Sequence, residues 1–392
     1  MVESIYTRFA KEVHHYFPQI RQIRSTKRFR KSRLYREILP ALRNVLDVCE
    51  LENFVDKPIK KSPFYRAVSW NVERGMEFEG LVHILKNNPG LAGADIYFLP
   101  ETDVGMARSK NRNVAKELAR ALNLNYAFSP CYLNLDKGSG IEAEAKGNNE
   151  VGLHGNAILS RWPIKSPRQI LLKNCKDKMR GKEKRLGSQR CLVVDLKMPE
   201  GPLRIACPHL DAHSSQRQRY HQVKTILDFF KREDWKGPTL IGGDLNTSTY
   251  HASHAFFAWW SFWRKMMMGP KYVCDNHYCY PERYFEKRLF NFLEQKGFDY
   301  KNFNELGKPT IHYHLGDEKK NKNLHDWVRK FFQPLVDWSV RKAEGTTSLK
   351  LDWFVAQNLK PIEGSQRVIG NLTYQGKLVS DHDAIVVNFK IS

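Results

Sequence analysis

Nowhere in the 392 residues do eighteen apolar residues follow one another, so no transmembrane helix is expected. The N-terminus, MVESIYTRFAKEV, carries an acid at Glu3 and lacks an uninterrupted apolar core, so it does not read as a secretory signal. Cys49, Cys131, Cys175, Cys191, Cys207, Cys274 and Cys279 make an odd, irregularly spaced set. That pattern argues against a disulfide framework and makes the reduced cytoplasm the expected compartment, with a peripheral membrane position still open. Acid is scarce beside base: 42 Asp+Glu face 64 Lys+Arg, a formal net charge of +22. Such an excess favours an anionic partner, nucleic acid or an acidic membrane surface, and charge alone does not choose between them. No obligate protein partner is evident. With 41% apolar residues the chain can bury one large core.

Against these absences stand six short polar segments, each at the end of an apolar run: SWNVERG (69–75), FLPET (98–102), HLDAHS (209–214), IGGDLNTS (241–248), LDWFVA (351–356) and SDHDAIVV (380–387). Runs such as IYFLP and TLIGG read as buried strands, and polar residues at their C-terminal ends emerge at the sheet rim, where ligands bind. Asn71, Glu73, Glu101, Asp244, Asn246 and Asp381 supply hard oxygen ligands suited to Mg²⁺ or Mn²⁺. His209 and His382 add groups for positioning and proton transfer. Together they are what metal-assisted phosphate ester hydrolysis requires, because a divalent ion relieves both the repulsion of an incoming hydroxide and the charge left on the departing oxygen.

The order and wording of the six segments resemble the endonuclease/exonuclease/phosphatase superfamily, from about Tyr65 to the end of the chain. That superfamily includes pancreatic-type deoxyribonuclease, abasic-site endonucleases, tyrosyl-DNA phosphodiesterases, deadenylases, neutral sphingomyelinases and inositol polyphosphate phosphatases. The resemblance implies a four-layer α/β sandwich of two packed mixed sheets flanked by helices. It also implies roles. Glu101 would be the first metal ligand, with Asn71 and Asp381 completing much of the shell and Glu73 standing where some family nucleases have an aspartate. Asp244 would orient or deprotonate the attacking water, and Asn246 would hold that water or a phosphate oxygen. His209 would donate to the charged pentavalent state, and His382 would contact the scissile phosphate with Asp352 fixing its ring. Each has a plainer alternative: a turn cap for Asp244 and Asn246, a buried structural ring for His209, an ordinary surface role for Glu73.

Substrate contacts are expected from Arg108, Asn111 and Arg112, in a loop at a helix start suited to an anion, and from Asn156 in GLHGNAILSRWPI; Asn111 can equally be a helix cap. His154, in the same strand, is as readily a core residue. Arg219 and Gln222, spaced by three, lie on one helix face and either brace HLDAHS or reach substrate.

Residues 1–62 read as a basic helical extension, with eight Lys/Arg from Arg21 to Arg36 and then a helix over ILPALRNVLDVCELENF. The basic run either grips phosphates or forms a solvated helix face. The catalytic domain is expected over 63–392, with an insertion at about 250–345. Residues 173–190 carry eight Lys/Arg and two acids, the composition of a mobile basic loop. In the insertion, HASHAFFAWWSFWRKMMMG (251–269) reads either as a buried capping helix or as an interfacial helix whose aromatics enter lipid. Cys274, His277 and Cys279, with His251, His254, His312 and His314 nearby, raise a zinc site, but CDNHYC has no CxxC pair. The functional expectation is a nuclease or DNA-end phosphodiesterase, with a phospholipid or inositol-phosphate esterase as the alternative and a non-catalytic binding module third.

Overall fold

The computed structural model describes residues 5–55, 61–247, 255–314 and 346–391. Runs of Val, Ile, Leu and Phe, too short for helices and bounded by Gly, Asn, Asp and Pro, form strands buried on both faces. The first sheet has the order Glu50–Glu52, Asn125–Asn134, Leu153–Ser160, Ile96–Val104, Tyr65–Ser69, Ala384–Ile391, Leu359–Pro361, with Arg185–Gly187 and Arg367–Ile369 attached off this path. The second has the order Asp352–Gln357, Thr239–Asp244, Gly201–Pro208, Arg190–Met198, Ile164–Leu171. Both are mixed. Tyr65–Ser69 pairs parallel with Ile96–Val104 and antiparallel with Ala384–Ile391. Thr239–Asp244 pairs parallel with Gly201–Pro208 and antiparallel with Asp352–Gln357.

The sheets stack through a layer that includes Ala67, Ile96, Phe98, Ile158, Val194, Ile205, Leu240, Phe354 and Val387, with the Phe98 and Phe354 rings edge to face at 5.9 Å. On the outer face of the second sheet, helices Gln216–Arg232 and Lys287–Gln295 bury Val223, Ile226, Leu289, Phe290 and Leu293 against Val193, Ile241 and Trp353. On the outer face of the first, helices Phe78–Asn87 and Val114–Leu122 cover Val68, Tyr97 and Tyr126. Helices, sheet, sheet and helices make the four-layer α/β sandwich.

The N-terminal segment joins the same outer layer. Phe9, Val13, Ile20, Phe29, Ile38, Leu42 and Val45 pack into one cluster with Phe128 and Leu133. The helix expected to run past Cys49 instead ends at Leu46, and Glu50–Glu52 becomes an edge strand paired antiparallel with Tyr126–Phe128. A strand three residues long is decided by its distant partner, not by local pattern. Residues 173–190 are also more ordered than the loop expected from their charge. Asp177 caps a turn at Lys178–Arg180, and Arg185–Gly187 pairs with Tyr132–Asn134.

The aromatic segment forms the helix Ala255–Met268, but Phe256, Phe257, Trp259, Trp260, Trp263 and Met267 are exposed, so the buried-capping reading is corrected. Among the described residues no helix is long and apolar enough to cross a membrane. All seven cysteines are free.

Candidate active site

Topology delivers the polar segments to one edge. The strands Tyr65–Ser69, Gly201–Pro208 and Thr239–Asp244 end where Asn71, His209 and Asp244 lie, and the antiparallel strands Asp352–Gln357 and Ala384–Ile391 begin there. Glu101 sits inside Ile96–Val104 at a bulge between Leu99 and Thr102, with φ of 59°. A bulge turns a side chain out of the ladder, and here it aims Glu101 toward His209. Glu73, Arg74 and Asn246 also have positive φ, at 44°, 68° and 47°. Left-handed backbone at non-glycine residues costs about 1–3 kcal/mol each and concentrates at functional sites. The glycines of GGD have a packing cause. A Cβ on Gly243 would collide with the Pro208 carbonyl oxygen, and one on Gly242 would lie 2.8–2.9 Å from the Phe354 and Phe98 rings.

Nine of the expected site residues form one connected group. Asn71 Nδ2 lies 3.3 Å from Asp244 Oδ2, and Asn71 Oδ1 accepts from the Glu73 N–H at 3.1 Å. Glu73 Oε2 in turn accepts from the Asp381 N–H at 3.2 Å. His209 Nε2 is 3.7 Å from Glu101 Oε1 and 3.6 Å from Asp244 Oδ2. His382 Nε2 is 4.0 Å from Asp244 Oδ2, while its Nδ1 meets Asp352 Oδ2 at 2.8 Å. Asn246 closes the turn: its N–H donates to Asp244 Oδ1 at 2.8 Å and its Nδ2 donates to the Leu210 carbonyl at 2.9 Å.

The electrostatics are those of a crowded, desolvated acid cluster. Burial first, and then the Asp381 charge, push the Glu73 carboxyl up to about 8. Burial and then Asp352 push Asp244 up to about 8. Burial also opposes the Glu101 charge, but Arg74, His209, His154 and His382 hold its carboxyl well below the usual range. Burial pushes the His209 imidazole down to about 4 against the pull of Glu101, so this ring is neutral near pH 7. At His382 burial is overcome by the charge and hydrogen bond of Asp352, with Asp381 and Asp244 adding to them, and the ring is held well above the ordinary histidine value.

Carboxylates raised by burial and mutual repulsion are relieved by a divalent cation, and Asn71, Glu73, Glu101 and Asp381 offer oxygen donors, the kind that magnesium or manganese takes. The buried Asp352 Oδ1 has no hydrogen-bond partner among the described residues. Ligand atoms of Asp244, Asp352 and His382 also lie within 4.8 Å of one another and can hold an ion. In that trio, however, a protonated imidazole already supplies positive charge between two carboxylates. The Glu73 carboxyl, raised by burial and by the Asp381 charge, has more to gain from a cation beside it.

The four expected substrate residues lie outside this group and have other partners. Arg108 is buried against Asp103 (2.7 Å), Glu142 (2.7 Å) and Glu183 (3.3 Å), so its charge is matched internally. Arg112 pairs with Glu79 and Glu117, both at 2.6 Å, over the Phe78 ring. Asn111 braces the chain at Asn148 and Glu150, and the helix cap is Asn113 instead. Asn156 donates to the Arg190 carbonyl at 2.8 Å, and its buried Oδ1 has no hydrogen-bond partner among the described residues. His154 bonds Asp103 at 2.8 Å. Arg219 braces HLDAHS through Ser214 while buried against Glu286 at 2.5 Å, and Gln222 accepts from the Asp211 N–H. Cys274 Sγ lies 3.8 Å from Thr347 Oγ1 and Cys279 Sγ 4.0 Å from the Ser348 carbonyl, and His251 and His254 lie outside the described residues. The zinc reading gains no cluster among the described residues.

Two further residues belong to the site beyond those expected. Arg74, inside SWNVERG, bridges Glu101 and Glu142. Thr310 is fully buried, donates to Asp352 Oδ2 at 2.7 Å and accepts from the Leu351 and Asp352 N–H groups. It therefore sets the carboxylate that sets His382, and no motif marks it. Thr310→Val should lower turnover about ten- to a hundredfold, the scale of a slightly misplaced reacting group, with little change in KM. Thr310→Ser should restore it; steady-state kinetics of the two variants check this, and equal loss in both would assign Thr310 to packing.

The chain matches the sequence model of the Endonuclease/Exonuclease/phosphatase family over residues 68–382, and it belongs to that family. It is a phosphoesterase of a family whose members are hydrolases acting on phosphoester bonds with a divalent metal. No curated protein sequence matches it. Solved structures similar to it include an endonuclease/exonuclease/phosphatase from Beutenbergia cavernae, at 13% identity over 84% of this chain and 72% of that one with a TM-score of 0.47. Another is the human Nocturnin catalytic domain with bound sulfate, at 16% identity, 88% and 98% coverage and a TM-score of 0.46. A 3′-5′ exonuclease from Neisseria meningitidis is similar at 15% identity, 82% and 98% coverage and a TM-score of 0.46.

Proposed function

We propose that the protein is a Mg²⁺- or Mn²⁺-dependent phosphodiesterase acting on nucleic acid, as a nuclease or a DNA-end phosphodiesterase. One observation carries the choice of substrate. Two basic segments distant in sequence are held in contact: Thr26 donates to Asp177 from its N–H at 2.8 Å and from its hydroxyl at 2.5 Å, and Lys184 Nζ donates to the Ile23 carbonyl at 3.1 Å. Arg21, Arg24, Lys27, Arg28, Arg30, Lys31, Arg33 and Arg36 are exposed on the first segment, and Lys173, Lys176, Arg180 and Lys182 on the second. The second segment is tied to the catalytic rim, since the Cys175 N–H and Lys178 Nζ both bond Asp211, two residues beyond His209. A basic track ending at a phosphoesterase site suits a long polyanion.

In this reading Glu101, with Asn71, Glu73 and Asp381, would hold the ion. Bound there, it would supply Lewis-acid polarisation of the phosphoryl group and offset developing negative charge. Asp244, buried and with a raised pKa, takes the proton of the attacking water, and Asn246 fixes the turn that presents it. The neutral His209 and the positively charged His382 donate hydrogen bonds to phosphoryl oxygens, and Asp352 keeps the His382 Nε2 proton directed at the substrate.

Affinity for a single-stranded oligonucleotide, measured by fluorescence anisotropy in the presence of Ca²⁺ to hold back turnover, should fall about a hundredfold between about 50 and 200 mM salt, as for about five phosphate contacts. Replacing Arg28, Arg30 and Lys31 together with Ala should flatten that dependence. Affinity insensitive to salt, or to the triple substitution, would count against the basic face as the nucleic-acid track.

A further inference from the structure

The helix Ala255–Met268 is turned inside out. A surface helix ordinarily buries its apolar stripe and shows its polar one. Here Ser261 and Lys265, one turn apart, are buried, with Lys265 Nζ over the Phe285 and Tyr278 rings at 5.1 and 5.5 Å. The aromatics face outward: Phe256 is 67% exposed, Trp260 55% and Met267 75%. Rings along the helix touch in sequence, Phe256 with Trp259 at 6.4 Å and Trp259 with Trp263 at 6.2 Å, so the exposed surface is continuous. Contiguous apolar patches of this kind mark an interaction surface.

The exposed charges of the segment that carries the patch point to what it meets. Arg264, Lys271, Arg283, Lys287 and Arg288 are exposed over residues 255–288, against one exposed acid, Asp275. Protein interfaces deplete lysine and charge at their centre. Tryptophan and phenylalanine on a segment whose exposed charges are nearly all Lys and Arg match the headgroup region of an anionic bilayer, where indole rings settle at the polar boundary and cations meet phosphate. A helix of 14 residues is too short to span a bilayer and of a length to lie in its interface. We propose that this helix docks the protein onto an anionic lipid bilayer, its aromatics entering the interface and the flanking cations pairing with lipid phosphates. The helical unit is fastened to the catalytic edge, because the Lys350 N–H donates to the Tyr278 carbonyl two residues before Asp352, so docking brings the phosphoesterase site to the membrane surface. Docking of this kind does not depend on whether nucleic acid is the substrate.

The test is co-sedimentation of the full chain with extruded vesicles of phosphatidylcholine alone or with about 30% phosphatidylserine, across a salt series. Expected is partition into the anionic vesicles that persists at moderate salt, since buried apolar surface is not screened. Partition should fall at least about tenfold in the double variant Trp259→Ala, Trp260→Ala, with an unchanged thermal melt. A second variant, Lys271→Glu with Arg283→Glu, should lose preference for phosphatidylserine. No partition at low salt, or equal partition by the tryptophan variant, overturns the proposal. So does a wild-type dimer that the tryptophan variant converts to a monomer in light scattering, because the patch is then covered by a second copy. Vesicle binding is read without turnover, so its failure and failure of the phosphodiesterase reading are separate results.

Discussion

Glu101→Gln should lower phosphodiester hydrolysis by about three orders of magnitude or more while leaving the fold intact, the scale expected when a Lewis acid is no longer held at the reacting phosphate. Glutamine keeps the shape of the side chain and removes the charge. Burial works against that charge, yet Arg74 and three histidines hold the carboxyl well below its usual range, so wild-type Glu101 is ionised at any working pH and available to a divalent ion. Removing it leaves Arg74 paired with Glu142 at 3.2 Å, so a buried unpaired cation is avoided and the melting temperature should change little. Activity in the variant near the wild-type level, measured at saturating Mg²⁺, would take Glu101 out of the reaction.

Asp244→Asn and His382→Ala should each cost at least about a hundredfold in kcat, the range for losing a general base or a preorganised donor. Combined, they should cost less than the product of the two, because both groups serve one transition state and already sit 4.0 Å apart. Kinetics of the two single variants and the double variant decide it. Strictly multiplicative losses would show that they act at different centres.

Much of this arrangement is legible in the order of residues along the chain. Asp244 and His209 follow uninterrupted apolar runs, and a strand that must be buried on both faces delivers whatever follows it to the sheet rim. The pairing of Asp352 with His382 is long-range yet readable, since each belongs to a segment with its own strand signal. What hides is whatever depends on a partner without local pattern. Thr310 reaches Asp352 from within the insertion, and Glu50–Glu52 is a strand only because Tyr126–Phe128 lies beside it. Arg108 reads as an anion ligand because its loop precedes a helix. Its three carboxylates, Asp103, Glu142 and Glu183, come from three parts of the chain, and the last sits in the segment whose composition reads as a mobile basic loop. The aromatic helix could not be oriented from periodicity, because Ser261 and Lys265 interrupt the apolar run at the spacing of a polar face, and only packing shows that this face is the buried one.

The most direct measurement is hydrolysis of an end-labelled oligonucleotide by metal-stripped protein as Mg²⁺ is titrated in, for wild type and Glu101→Gln side by side. A metal-dependent site built on Glu101 predicts no cleavage before metal, cleavage that saturates with Mg²⁺ or Mn²⁺ in the wild type and is abolished by EDTA, and next to none in the variant at any concentration tested. Cleavage that persists in EDTA, or that the variant performs as well as the wild type, would contradict it.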